Sequence, residues 1–349
     1  MDVPNGSRLP PATLAARGMG ARWWPIALSE QVSDQAPLGA FYEGEPIVLY
    51  RDGQGQVRAL EDRCPHRRAP LSLGRVTPDG QLQCGYHGWT YDGVSGMCTA
   101  IPNLSKGERI PSHYMAQPYC VTERDGFVFV RRQGFGENEP HVAPSRVPHG
   151  GPRFRGCTTV ATPYDEYLAA LADGPHLLIS LSGLHITNYV SADACEQDGQ
   201  VGIEWGVVSV ARRRNHRFVT DYPWTLRLSC EPNGALLSVE LLTRDEQLAL
   251  IAMVAVSPAA RGTTAVNWRG TVLPAAAGLG PALLRARTRL GAAPFRMISN
   301  IDGHLLARLA RLHSTSWMHP GPSGATQPEV PTEAASTPRQ ETIHGGSSV

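Results

Sequence analysis

The sequence predicts an α+β protein of two domains, an all-β N-terminal domain and a C-terminal domain built on an antiparallel sheet. The 349 residues exceed the ~100–200 of a typical domain, and 42% of them are hydrophobic, which is enough for a sizeable core. Short apolar runs separated by Gly, Asp and Pro fill the first third of the chain. After one capped helix, runs that alternate apolar and polar residues fill most of the remainder, as antiparallel strands do.

Residues 21–132 are predicted to form the all-β domain. Two apolar runs, Glu45–Arg51 and Gln56–Leu60, are predicted strands of a hairpin, and Gly126–Arg131 is a predicted closing strand. The next segment, 133–152, is rich in Gly and Pro and poor in apolar residues, so we expect a linker there.

Residues 153–318 are predicted to form the second domain, and 319–349 a disordered tail rich in Pro, Gly, Ser and Thr. The domain should begin with a helix at 163–173, for which Thr162-Pro163 is the N-cap and Asp165 completes a capping box. Further strands are predicted at 201–211, 217–230, 235–243, 248–256 and 263–273, and further helices at 281–290 and 300–313.

Charge and cysteine usage narrow the class of protein. A formal net charge of +1 argues against nucleic acid or an anionic membrane as the main partner. No apolar run approaches the ~18 residues of a membrane span, and no secretory signal precedes the first domain. The seven cysteines contain no Cys-x-x-Cys pair and do not suggest a disulfide framework. We therefore expect a cytoplasmic protein whose thiols are available to bind metal.

The strongest motif has two halves, each with one thiol and one imidazole on a tight loop. Cys64-Pro-His66 is followed, after 17 residues, by Cys84-Gly-Tyr-His87. Zinc is one candidate, but its structural fingers favour both thiolates on one knuckle and both imidazoles on a helix. A [2Fe–2S] cluster in which two thiolates hold one iron and two imidazoles hold the other suits the mixed loops better.

The sequence around these residues, Cys64-Pro-His-Arg-Arg-Ala-Pro-Leu-Ser-Leu-Gly74 and Cys84-Gly-Tyr-His-Gly-Trp-Thr-Tyr-Asp92, resembles the Rieske family. Its loops lack the extra cysteines of the Rieske proteins of cytochrome bc complexes. A Rieske ferredoxin needs only the first ~110 residues, so the second domain favours the terminal oxygenase of a Rieske non-haem iron system. The match is to the group of vanillate and dicamba O-demethylases and the aminopyrrolnitrin-forming N-oxygenase.

This resemblance implies a C-terminal catalytic domain with a helix-grip (START-like) antiparallel sheet and a mononuclear Fe(II) held by two His and one carboxylate. In the pattern Asp-x-x-His-x-x-x-x-His, Asp173 would be the carboxylate that links the iron site to the cluster of a neighbouring subunit. His176 would be the first iron ligand. Asp302, before a late apolar helix, would be the carboxylate ligand.

The second half of that pattern departs from the family. Leu181 stands where the second His is expected, and the next histidine is His185. Because nine residues on a helix reach the opposite face, His185 can serve only if the chain leaves the helix before it. Ser299 and Asp302 also form a capping box, so Asp302 has a second interpretation as a helix cap, and His304 is a weaker substitute ligand.

Three functions follow from these features. The first is a Rieske oxygenase that hydroxylates, demethylates or oxidatively cyclises an aromatic or other apolar molecule, as a monooxygenase or dioxygenase. It would receive electrons from an NAD(P)H-dependent reductase, with or without a ferredoxin, and its group is typically homotrimeric. The second is an electron-transfer protein with a degenerate, iron-free second domain, and the third a structural zinc protein. Large strand residues such as Trp205 are candidates for either core or substrate pocket.

Overall fold

The computed structural model describes most of the chain between Trp23 and Ser299. The predicted tail, the predicted helix at 300–313 and nearly all of the predicted linker lie outside the described residues. Within 23–299 the undescribed segments are 106–107, 135–152, 183, 185, 193–194, 198–199, 210–222, 231–234 and 275.

The N-terminal domain is all-β, as the sequence predicts, and its strands form three small antiparallel sheets. The predicted hairpin and the closing strand are all present. The first sheet has the order β1-β10-β9, the second β2-β3-β4 and the third β5-β6-β7-β8. Their strands are β1 (Trp24–Leu28), β2 (Leu38–Tyr42), β3 (Glu45–Arg51), β4 (Val57–Glu61), β5 (Arg75–Val76), β6 (Leu82–Gln83), β7 (Thr90–Tyr91), β8 (Cys98–Ala100), β9 (Tyr119–Arg124) and β10 (Phe127–Arg132).

The second domain is built on an eight-stranded antiparallel sheet with the order β11-β19-β18-β17-β16-β15-β13, to which β14 adds by pairing with β15. Its inward side chains are large and apolar, which explains the alternation seen in the sequence. A separate pair, β12 and β20, joins distant parts of the domain. The strands are β11 (Arg153–Val160), β12 (Ile179–Leu181), β13 (Ile186–Ser191), β14 (Cys195–Gln197), β15 (Gln200–Ser209), β16 (Trp224–Cys230), β17 (Leu236–Thr243), β18 (Leu248–Pro258), β19 (Thr264–Val272) and β20 (Phe295–Met297).

The described residues contain three α-helices: α1 (Tyr164–Asp173), α2 (Pro175–Leu178) and α3 (Leu279–Arg289). None of them is long and apolar enough to cross a membrane.

The first of these helices was predicted, but its predicted capping box is wrong. Pro163 occupies the cap position, with φ −57° and ψ 148°, and no side chain caps the helix. Thr162 therefore lies one residue too early for its hydroxyl to reach the free N–H groups of the first turn. Its carbonyl oxygen instead accepts a hydrogen bond of 2.7 Å from the hydroxyl of Thr264.

The two domains share one hydrophobic core, because strand β1 packs against both the large sheet and helix α1. The ring of Trp24 meets that of Tyr164 edge-on, with 5.1 Å between the centroids. The buried side-chain amide of Asn267 in β19 donates a hydrogen bond of 3.1 Å to the carbonyl oxygen of Ile26 in β1. This bond pairs a backbone acceptor that burial would otherwise leave without water.

We predict that Asn267→Ala lowers the free energy of unfolding by about 1–3 kcal/mol, because the buried carbonyl of Ile26 loses its donor. Urea unfolding followed by circular dichroism measures the change. Asn103→Ala is the control, because Asn103 is exposed, and it should stay within about 0.5 kcal/mol of the parent protein. Equal stability of the two variants would contradict a role for the Asn267 bond.

Candidate metal centres

The two cysteine-histidine loops have the same backbone hydrogen bonds. In the first, the N–H of Cys64 donates to the carbonyl of Ala69 at 2.9 Å, and the N–H of Arg68 donates to the carbonyl of Cys64 at 2.8 Å. In the second, the N–H of Cys84 donates to Trp89 at 2.8 Å and that of Gly88 to Cys84 at 3.1 Å. Each loop is thus closed in the same way around its cysteine.

Both loops need a left-handed residue four positions after the cysteine. Arg68 has φ 57° and Gly88 has φ 73°, a conformation that costs glycine little and other residues more. The strain accepted at Arg68 indicates that the surrounding hydrogen bonds determine the shape of the first loop.

The loops place their thiols inside the domain and their imidazoles toward its edge. Cys64 and Cys84 are 2% and 3% exposed and belong to the core beneath the loops. His66 is half-buried and His87 is exposed, and their ring centroids lie 4.7 Å apart. The four side chains therefore form one pair of thiols and one pair of imidazoles.

The separation of the thiols from the imidazoles distinguishes a single zinc ion from a two-iron cluster. Across the described residues, no three His, Cys, Asp or Glu side chains come close enough together to hold a single metal ion. A tetrahedral zinc needs all four ligands around one point. A Rieske cluster needs the thiolates at one iron and the imidazoles at the other, so the arrangement fits the two-iron cluster.

The environment of His66 favours this use. The Nδ1 atom of His66 is buried and has no hydrogen-bond partner within the described part of the chain, which leaves it available. Desolvation, together with the nearby His87 and Arg67, lowers the pKa of His66, so the imidazole is in the neutral form that binds metal. Burial raises the pKa of Cys84, while backbone N–H groups of Tyr86 and His87 act in the opposite direction.

Two aromatic side chains surround the ligands. The indole of Trp89 stacks on the ring of His66, with 4.5 Å between centroids and only 2° between planes. The hydroxyl of Tyr91 lies 3.0 Å from the sulfur of Cys64 in the buried interior. Burial raises the pKa of Tyr91, so its phenol stays protonated and donates to the sulfur when Cys64 is a thiolate. Sequence reasoning missed this contact, although Tyr91 lies within the second motif.

In the second domain, His176 lies on the one-turn helix α2 directly after α1. It is half-buried, and its Nδ1 atom has no hydrogen-bond partner among the described residues. Desolvation lowers the pKa of His176 to about 4, so the imidazole is neutral and suited to a metal. Its ring contacts those of Tyr189, at a centroid distance of 3.9 Å, and Trp205, at 5.7 Å.

The chain leaves the helix soon after His176, which is the condition that the sequence set for His185. Helix α2 ends at Leu178, strand β12 follows, and the buried side chain of Leu181 lies in that strand. His185 itself is outside the described residues. The next residue, Ile186, begins strand β13, and Tyr189 in the same strand packs its ring on that of His176.

The structure also brings the segment before Asp302 to the helix that carries His176. Strand β20 pairs with β12, so that Met297 lies opposite Ile179. The N–H of Ile298 then donates a hydrogen bond of 2.9 Å to the carbonyl of Leu178. Asp302 and His304 are outside the described residues, and of Asp173 only the backbone is described, as the last residue of α1.

Known proteins resemble this chain first of all in its N-terminal part. Residues 22–119 match the family described as the Rieske [2Fe–2S] domain, a range that contains Cys64, His66, Cys84 and His87. This part of the chain is therefore a Rieske domain, which implies a [2Fe–2S] cluster.

Two relatives share part of the sequence. The chain is 39% identical over 161 residues to the chloroplastic protein TIC 55 of Arabidopsis thaliana, a match to 45% of this chain and 30% of that protein. It is 44% identical over 108 residues to the vanillate O-demethylase oxygenase subunit of Pseudomonas sp. (strain HR199 / DSM 7063), a match to 31% of this chain and 28% of that subunit. The chain thus spans less than a third of the length of either relative.

A solved structure resembles this chain over both domains. The crystal structure of dicamba monooxygenase bound to dicamba superposes with a TM-score of 0.58 at 21% identity, and covers 85% of this chain and 98% of that one. The likeness confirms the predicted fold class, an all-β Rieske domain followed by an antiparallel-sheet domain.

We predict that Tyr91→Phe lowers the reduction potential of the cluster by about 40 mV, the equivalent of about 1 kcal/mol for one electron. A hydrogen bond to a ligand sulfur stabilises the reduced cluster, which carries more negative charge, so its loss favours the oxidised state. Potentiometric titration followed by visible spectroscopy measures the shift.

Tyr50→Phe is the matched control for Tyr91→Phe. Tyr50 is fully buried in the same core, but its hydroxyl has no hydrogen-bond partner within the described residues. The potential of this variant should equal that of the parent protein. A shift of the same size in both variants would assign the effect to general packing and not to the bond between Tyr91 and Cys64.

Proposed function

We propose that this chain, which carries a Rieske domain and has the fold of dicamba monooxygenase, is the terminal oxygenase of a multicomponent Rieske system. Electrons would come from an NAD(P)H-dependent reductase, with or without a ferredoxin. The substrate would be an aromatic or other apolar small molecule, as the name of the related vanillate O-demethylase suggests. The observation that carries the proposal is the convergence, at one end of α2, of His176 and the segment that leads to Asp302.

His176, His185 and Asp302 are the residues that would hold a mononuclear iron. Two imidazoles and one carboxylate are the donor set of non-haem Fe(II) oxygenases. The unpartnered Nδ1 atom and the neutral state of His176 fit this use. When bound, Fe(II) in such a site supplies open coordination positions for O2 chemistry.

The chain's own residues would prepare the site in three ways. Burial keeps His176 neutral, and so available to a cation, well below neutral pH. The rings of Tyr189 and Trp205 cover His176 and form an apolar wall that favours an apolar substrate over water. Asp173 ends α1 three residues before His176, and we propose that it links this site to the cluster of a neighbouring subunit in a homotrimer.

The second candidate is an electron-transfer protein whose second domain binds no iron. The observation that favours it is Leu181, which stands at the position of the expected second histidine and is buried in β12. An apolar, buried side chain there cannot bind a metal. The two candidates therefore differ in whether His185 replaces the missing ligand.

We predict that the anaerobically Fe(II)-loaded protein contains about three irons per chain, two in the cluster and one mononuclear. His176→Ala should contain about two, because one imidazole of the mononuclear site is removed while the cluster keeps all its ligands. His185→Ala should also contain about two if this residue is the second ligand. Colorimetric iron analysis gives the count, and the visible spectrum of the cluster is the internal control. About two irons in the unmodified protein would favour the electron-transfer candidate.

We predict that the protein, supplied with NADH and a generic Rieske-system reductase, consumes O2 faster in the presence of a substrate and converts that substrate. A screen of aromatic compounds should begin with vanillate and dicamba, because the relative and the structural neighbour are named for these compounds. An oxygen electrode and mass spectrometry of the products provide the measurements. Cys84→Ser is the control, since loss of a cluster ligand should abolish both signals. A protein with full iron content that reduces its cluster but converts no compound of the screen would argue against the oxygenase.

A further inference from the structure

A buried hydrogen-bond donor in the second domain lacks an acceptor. Trp205 lies in β15, on the inward side of the large sheet with Ile203 and Val207, and is only 5% exposed. The indole Nε1–H can donate but not accept. It has no hydrogen-bond partner within the described part of the chain, although a buried tryptophan N–H usually finds one. An acceptor from outside the described residues, such as a bound ligand, is therefore expected at this atom.

The unpaired donor belongs to the aromatic cluster that covers His176. The rings of Trp205 and His176 lie 5.7 Å apart, and the ring of Tyr189 contacts both, at 5.3 Å and 3.9 Å. We call His176, Tyr189 and Trp205 the ring cluster. A ligand atom that accepts from Trp205 would thus lie beside the proposed iron ligand.

Tyr189 is the exposed member of the ring cluster and packs on Trp205. The Nε1 atom of Trp205 has almost no accessible surface, whereas the side chain of Tyr189 is 42% exposed and lies at the rim of the ring cluster. A ligand would reach the donor if the Tyr189 ring gave up its contacts with His176 and Trp205 and moved aside. An aromatic ligand can replace the ring contacts that Tyr189 gives up.

We propose that the indole N–H of Trp205 donates a hydrogen bond to an oxygen atom carried by an aromatic substrate, and so orients that substrate beside His176. This inference rests on the proposed function, because it takes the ring cluster as the substrate site. The substrate class is an aromatic ring that bears a ketone, ether or similar oxygen acceptor. A hydrocarbon of the same shape would leave the donor unpaired and bind more weakly.

The test compares two probes of similar shape, acetophenone and ethylbenzene, bound by the iron-loaded protein under anaerobic conditions without reductase. Equilibrium dialysis measures both affinities in the parent protein, in Trp205→Phe and in Trp268→Phe. Trp205→Phe keeps an aromatic ring and removes only the N–H donor and part of the ring. Trp268→Phe makes the same change at a buried tryptophan of β19 that packs against Phe295 and Gly156, away from the ring cluster.

We expect the parent protein and Trp268→Phe to prefer acetophenone, and Trp205→Phe to lose about tenfold in affinity for acetophenone but little for ethylbenzene. Ultraviolet resonance Raman bands of tryptophan should also report a stronger indole hydrogen bond when acetophenone binds, and this change should be absent in Trp205→Phe. Equal affinities for the two probes in the parent protein, or an unchanged preference in Trp205→Phe, would overturn the proposal. If the acceptor of the Trp205 N–H is a fixed water molecule, the preference for acetophenone should be unchanged in Trp205→Phe.

These outcomes are separate from those that decide the oxygenase proposal. No turnover occurs without O2 and reductase, so the ketone preference is measured whether or not the protein is an active enzyme. An iron content of about two per chain with an intact Trp205-dependent preference would defeat the oxygenase and leave Trp205 as the hydrogen-bond donor of an aromatic ligand site. A full iron content without the preference would defeat this inference alone.

Discussion

The site in the second domain depends on the break in the helix at Gly174 and Pro175. Pro175 has no N–H, and in a continuous helix its ring would clash with the carbonyl of Leu171. Gly174 accordingly leaves the helical conformation, with φ −139° and ψ 54°, and α1 ends at Asp173. His176 then sits in a separate single turn, after which the chain is free to become strand β12.

That strand has a consequence for ligand spacing. A helix rises about 1.5 Å per residue, whereas a strand rises about 3.3 Å per residue. Two ligands five residues apart therefore lie much farther apart when part of the chain between them is a strand. The chain beyond β12 turns at Ser182, whose N–H donates a hydrogen bond of 3.0 Å to the carbonyl of Pro294. Leu181 thus lies in a strand and not on the helix that carries His176. Under the proposed function a second ligand would have to come from later in the chain, where His185 is the next histidine.

The Rieske half of the molecule was largely predictable because its chemistry is local. Each cluster loop is closed by hydrogen bonds between a cysteine and residues four or five positions later. The residues that determine the shape of the loop therefore lie within the motif itself. The contact between Tyr91 and Cys64 spans 27 residues and depends on how the third sheet folds back on the first loop. Nothing in the spacing of the motif indicates that contact.

In the second domain, strands such as β17 and β19 were predicted near their observed bounds. Strand β11 was missed because it has few large apolar residues and contains Gly156. That glycine is required by the partner strand, since a Cβ atom there would lie 2.3 Å from the ring of Trp268. Strand β12 has only three residues and pairs with β20, and no local sequence pattern indicates a partner more than 100 residues away.

The hydrophobic core shared by the two domains connects the Rieske domain to the proposed iron site. Strand β1 pairs with β10 of the Rieske domain, and its Trp24 packs on Tyr164, the first residue of α1. Helix α1 has ten residues and is about 15 Å long, and Asp173 at its other end adjoins the turn that carries His176. A rigid element thus runs from the wall of the cluster domain to the proposed iron site. Because Tyr164 packs its ring on Trp24 in the shared core, the first residue of α1 is anchored there, and the helix sets the position of the turn that carries His176.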